Sequence, residues 1–140
     1  MKLTSLQIKK IQDYFTKQKD ILTVYLYGSF AKGITYKGSD IDFGVLFDGK
    51  VNLRSRLGQI YSDLSNLRLP AEPEVREVDF NSPPVYLLNV INGQLIFSRN
   101  EVKRVNFEVQ ALKQYYDTQR LRDIKHYYMN KRFQDGTYGY

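Results

Sequence analysis

Two short runs rich in β-branched and aromatic residues, Ile21–Tyr27 and Phe43–Phe47, are joined by a segment that opens on Gly28-Ser29 and closes, with ten residues between, on Asp40-Ile41-Asp42. Both runs read as strands. The first ends at a glycine, so Gly28-Ser29 falls where a strand turns into a loop or helix and backbone N–H groups are free to face an anion. Asp40 and Asp42 lead into the second strand, and residues i and i+2 of an extended chain project from one face. Two carboxylates therefore point to one spot. Like charges held that close are costly unless a cation neutralises them, and Mg²⁺ is usually held by one or two carboxylates plus substrate phosphates. A phosphate-holding turn beside such a pair predicts nucleotide chemistry. A solvated edge strand would explain an isolated Asp-x-Asp, but not the order strand, Gly-Ser turn, spacer and strand-borne pair.

With 140 residues the chain has the length of one domain and enough material for a substantial core. The absence of cysteine and the single His126 leave oxygen atoms as the ligands for any metal. No apolar stretch approaches the roughly 20 residues a bilayer requires, and the N-terminus leads into a polar amphipathic segment, so a cytoplasmic protein without a membrane partner is expected. The net charge of +6 attracts anions of any kind and does not choose among nucleotide, nucleic acid and acidic protein. No nucleic-acid motif accompanies the charge, and direct nucleic-acid binding is not expected.

The periodicity predicts an α+β fold, a small mixed sheet flanked by helices. Leu6, Ile8, Ile11 and Phe15 make a first amphipathic helix from Ser5 to Lys19 with Thr4 or Ser5 as its cap. A second helix spans Asn52–Leu67 and ends before Pro70 and Pro73. Glu74–Phe80 reads as a third strand, with Val78 and Phe80 toward the helices and Val75, Glu77 and Asp79 on the other side. If that other side carries Asp40 and Asp42, Asp79 or Glu77 adds a third carboxylate, which two-metal chemistry would use. Pro83-Pro84 opens a short helix to Ile91, Asn92-Gly93 turns, and Gln94–Ser98 is a fourth strand. Residues 101–134 form a long C-terminal helical segment with Val105, Val109, Leu112, Tyr116, Leu121, Ile124, Tyr128 and Phe133 as its apolar series and Asp117-Thr118 as a break or kink. Its tyrosines, lysines and arginines suit either a solvated face or partner docking. Residues 135–140 read as a flexible tail. Arg120 and His126 superficially match an Arg-x₄₋₆-His ribonuclease pattern, which belongs to all-helical domains rather than to a mixed chain.

Gly28-Ser29-x₁₀-Asp40-Ile41-Asp42 resembles the signature of the polymerase-β-like nucleotidyltransferase superfamily. In length, in Val75-x-x-Val78-Asp79-Phe80-Asn81-x-Pro83-Pro84 and in the basic aromatic C-terminal helix, the chain is similar to the MNT antitoxins of HEPN/MNT toxin–antitoxin pairs. The resemblance implies the polymerase-β-like fold over 1–140 and Mg²⁺-dependent transfer of AMP from ATP to a tyrosine of a HEPN ribonuclease toxin. It also implies roles: Gly28 and Ser29 on the ATP phosphates, Asp40 and Asp42 on Mg²⁺ and in catalysis, and Asp79 as the third carboxylate. Lys32 and Ser39 complete the nucleotide-binding set. Phe30 stands where an arginine often follows Gly-Ser, which makes Lys32 the substitute phosphate contact, and Arg76 stands where many relatives have an acid. The rival readings are a binding-only antitoxin with a vestigial nucleotide site and a nucleotidyltransferase acting on a small molecule.

Overall fold

The computed structural model describes residues 2–35 and 38–134. The expected tail at 135–140, and Tyr36 and Lys37 between the Gly-Ser turn and the aspartates, lie outside the described residues. The elements follow in the order α1 (Ser5–Thr16), β1 (Ile21–Tyr27), α2 (Ser29–Lys32), β2 (Ile41–Phe47), α3 (Leu53–Ser65), β3 (Pro73–Glu77), α4 (Pro84–Ile91), β4 (Gln94–Ser98) and α5 (Glu101–Gln134). The four strands form one mixed sheet in the order β3-β2-β1-β4. Strand β1 pairs antiparallel with β2 and β4, while β2 and β3 run parallel across the α3 connection.

Helices cover both faces of the sheet, which explains why β1 is a continuous apolar run rather than an alternating one. On one face, Ile11 and Phe15 of α1 and Ile60 and Leu64 of α3 pack on Val24, Leu26, Ile41, Phe43 and Val45. On the other, Leu87 and Val90 of α4 and Phe107 and Ala111 of α5 close over Tyr25 and Val78. The capping box at the start of α1 is complete: the Gln7 N–H donates to the Thr4 hydroxyl, and the Thr4 N–H donates to the Gln7 side-chain oxygen. At its end the Arg99 guanidinium donates to the carbonyls of Phe15, Thr16 and Gln18 and to that of Ile21, tying α1 to β1.

Two expectations are corrected. Helix α5 runs unbroken through Asp117-Thr118, because the Thr118 hydroxyl donates back to the Gln114 and Tyr115 carbonyls without interrupting the helix. The face that α5 buries is also not its long apolar series: Phe107 and Ala111 are buried, whereas Val105, Val109 and Tyr116 are exposed at 46%, 59% and 64%. At about 100° per residue these three lie on the side of the helix opposite Phe107 and Ala111. From residue 119 to 134 every residue except Arg122 is exposed. No helix among the described residues is long and apolar enough to cross a membrane.

Candidate active site

The adjoining ends of β1, β2 and β3 gather the site. Asp42 stands on β2 opposite Tyr27 of β1 and, in the parallel register, beside Glu74 of β3. Asp40 immediately precedes the strand and is exposed. Gly28 follows β1 with φ 74° and ψ −152°, a conformation open only to glycine. An added Cβ there would lie 2.3 Å from Asp42 Oδ2. The absence of a side chain at Gly28 is thus what lets the carboxylate of Asp42 rest against the turn. Ser29 begins the single turn of α2, which the Lys32 N–H to Gly28 carbonyl bond closes at 3.2 Å.

Phe30, where a phosphate-reading cation was expected, is buried in the core beneath the turn. It holds the turn down by packing. Lys32 is exposed at the end of α2 and lines the cleft beside the turn. Ser39 is half-buried next to Asp40.

Burial first, then a hydrogen bond and repulsion from Glu74 and repulsion from Asp40, push the Asp42 carboxyl up from 3.8 to about 6, partly offset by Arg76. Arg76 is bound to Glu74, its Nε donating at 2.8 Å and its Nη2 lying 2.5 Å from the same Oε1. The three side chains form a row, Asp42, Glu74 and Arg76, on one face of the sheet.

The structure does not bring Asp79 into that row. Strand β3 ends at Glu77, and Val78 packs over Gly44 on the face that carries Asp42, so the alternation turns Glu77 and Asp79 away. Asp79 Oδ1 instead accepts from the Asn81 N–H at 2.9 Å and from the Ser82 hydroxyl at 3.2 Å, an Asx turn at the entry to α4. Its charge bears on Glu77, whose carboxyl is raised by burial and then by Asp79. The expected alternation of β3 holds, but the face carrying Asp42 is that of Val78 and not that of Val75, Glu77 and Asp79, so the condition for Asp79 or Glu77 to join the pair is not met. The parallel register that places Glu74 beside Asp42 is a tertiary fact, and the acidic residue two positions before Arg76 was its only trace in the sequence.

Among the described residues no group of three or more acidic or imidazole side chains is arranged to hold a metal by itself. Asp40 and Asp42 still fit a hard divalent cation, since Mg²⁺ commonly takes one or two carboxylates with substrate phosphates completing its shell. The crowding that raises Asp42 is of the kind a cation relieves.

Residues 9–102 match the family described as Polymerase beta, Nucleotidyltransferase. No curated protein matches the chain significantly by sequence. Several solved structures share the fold. A Shewanella oneidensis structure, a tri-AMPylated HEPN toxin in complex with MNT antitoxin, aligns with a TM-score of 0.65 at 18% identity, covering 87% of this chain and 94% of the other. A toxin-antitoxin structure with AMP-PNP aligns at 0.62 and 20% identity, with 87% and 94% covered. The toxin-antitoxin MntA-HepT aligns at 0.63 and 18% identity, with 86% and 94% covered.

Proposed function

We propose, since the chain belongs to the polymerase β nucleotidyltransferase family, that it transfers AMP from ATP to a tyrosine hydroxyl of a HEPN toxin and thereby acts as that toxin's antitoxin. The observation that carries this reading is the Asp42 carboxylate held against the Gly28 turn, the arrangement that a phosphate-holding turn beside metal-holding aspartates would need. Family membership supports the nucleotidyl chemistry. The partner is suggested by neighbours of the same fold and length that were solved as toxin–antitoxin complexes, one with an AMPylated toxin and one with AMP-PNP.

Transfer is in-line attack of the acceptor oxygen on the α-phosphorus, with pyrophosphate leaving, and it depends on alignment and charge stabilisation more than on covalent help. The Gly28 and Ser29 backbone, with the Ser29 hydroxyl, holds the β- and γ-phosphates. Lys32, at the end of α2, offsets charge on the departing pyrophosphate, and Ser39 steadies the approach to Asp40. Asp40 and Asp42 hold Mg²⁺, which when bound neutralises phosphate charge. Glu74, beside Asp42, takes the role of third carboxylate and accepts the proton of the attacking hydroxyl. The Arg76 contact fixes that carboxylate in place.

The exposed apolar stripe of α5 favours a protein acceptor over a small molecule. Val102, Val105, Val109 and Tyr116 recur at helical spacing on the outer side of α5, and Leu121, Tyr127 and Tyr128 extend the exposed apolar surface along the same helix. A helix of 34 residues is about 51 Å long. Helical stability in proteins comes mainly from packing an apolar face, which the outer half of α5 lacks within this chain. A docked toxin supplies that face.

Intact mass spectrometry of a cognate HEPN toxin, after incubation with this chain, ATP and Mg²⁺, tests the reading. A mass gain of one or more AMP units that disappears with Asp40→Asn and Asp42→Asn is the expected result. A stable complex without mass gain would leave antitoxicity by binding alone.

A further inference from the structure

A cleft of about 710 Å³ opens from Gly28 between α2 and the α4–β4 turn. Lys32 stands with Gly28 at one end. Tyr27 and Tyr86 form an aromatic wall, their rings edge to face with centroids 5.8 Å apart. Asn89, Asn92 and Gln94 line the end contributed by α4 and β4. Gly93 presses this end against β1, since a Cβ there would sit 2.2 Å from the Leu26 carbonyl oxygen, and Gln94 pairs with Leu26. The amide-lined end is therefore held at a set distance from the Gly-Ser turn by the sheet itself.

We propose that this cleft seats the nucleoside of the triphosphate, and that the carboxamides of Asn89 and Asn92 make it select adenine over guanine. The inference rests on the nucleotidyltransferase reading, which puts the phosphates at Gly28. Its size falls within the usual range of small-molecule pockets and exceeds what an acceptor tyrosine side chain would fill. Asn89 lies in α4 and Asn92 caps its C-terminus with helical backbone angles, three residues on, so the two share one side of the helix end. A carboxamide offers a donor beside an acceptor, which matches the N6 amino group and N7 of adenine, whereas the bidentate partner of guanine O6 and N7 is a cation. Among the described residues Lys32 is the one cation of the cleft lining, and it lies in α2 beside the Gly28 turn. Tyr27 contributes its ring to the wall, while its hydroxyl is buried and turned toward that of Tyr86.

Calorimetric titration with AMP-PNP, GMP-PNP and inorganic tripolyphosphate, each with Mg²⁺, tests the assignment on the intact chain and on Asn89→Leu and Asn92→Leu. The intact chain should bind AMP-PNP at least tenfold more tightly than GMP-PNP. Each variant, with thermal unfolding unchanged, should lose about tenfold in AMP-PNP affinity and most of the adenine preference while keeping its tripolyphosphate affinity. Variants that retain the preference overturn the proposal, as does an intact chain that binds tripolyphosphate as tightly as either nucleotide. Should the variants instead raise KM for the acceptor and leave nucleotide affinity untouched, the cleft holds the acceptor and the proposal is again overturned. Failure of the intact chain to bind any of the three probes would bring down the nucleotidyltransferase reading as well.

Discussion

Replacing Asp42 by asparagine should stabilise the fold while abolishing transfer. Asp42 titrates at about 6 in the folded chain against 3.8 when unperturbed, through burial, Glu74 and Asp40. A raised carboxyl pKa means the folded state holds the proton more tightly than the unfolded one. The stability linked to this group is complete below about pH 4 and is lost as pH rises through 6, so at pH 8 the ionised side chain opposes folding. A shift of about two units corresponds to a ceiling of roughly 3 kcal/mol. The site opens to solvent, and screening brings the expected effect nearer 1 kcal/mol. Asparagine keeps the shape and removes the charge. In EDTA at pH 8 the Asp42→Asn variant should unfold about 1 kcal/mol, or roughly 3 °C, above the parent. The gap should shrink between pH 6 and 4 as the parent's carboxyl takes up its proton. Addition of Mg²⁺ should raise the melting temperature of the parent and not that of the variant. Urea and thermal unfolding followed by circular dichroism measure all three. A variant less stable than the parent at pH 8 without metal, or a difference that ignores pH, would refute the crowded-carboxylate account.

The Gly28→Ala substitution meets both a left-handed φ and Asp42 Oδ2 at 2.3 Å. It should cost about 1–3 kcal/mol in urea unfolding and lower kcat/KM for AMP transfer at least a hundredfold. Glu74→Gln should slow single-turnover transfer by about 10²–10⁴, whereas Asp79→Asn should change it less than threefold. The reverse order would return the third carboxylate to Asp79. On α5, Val109→Lys and Tyr116→Lys should leave the unfolding free energy of the isolated chain within about 0.5 kcal/mol, because both positions are exposed. Both should abolish co-purification with the cognate HEPN toxin, and a complex that survives both changes would show that docking uses another face.

Much of the fold was legible because its determinants are local. β-branched runs make β1 and β2, the Thr4 and Gln7 pair caps α1, and the proline pair opens α4, each within a few residues of chain. The meeting of the turn with the aspartates of the candidate site was legible for the same reason. Gly28, Ser29, Asp40 and Asp42 are brought together by one strand, one turn and the antiparallel partner that follows, with Tyr27 paired to Asp42.

What the sequence could not determine depends on contacts between distant segments. The parallel pairing of β3 with β2, across the intervening α3, decides that Glu74 rather than Asp79 stands beside Asp42, because a strand's two faces alternate and only the register chooses between them. The burial of Phe107 and Ala111 against α4 and β1, rather than the longer apolar series, follows from how the sheet presents its second face. Periodicity identifies an apolar stripe and cannot say whether its partner is this chain or another. The cleft beside Gly28 likewise exists only because β4 returns to β1 and presses Gly93 against Leu26, joining residues more than sixty positions apart. Local sequence sets which residues meet at the turn, and the tertiary packing decides which further carboxylate, which cleft and which helix face stand around it.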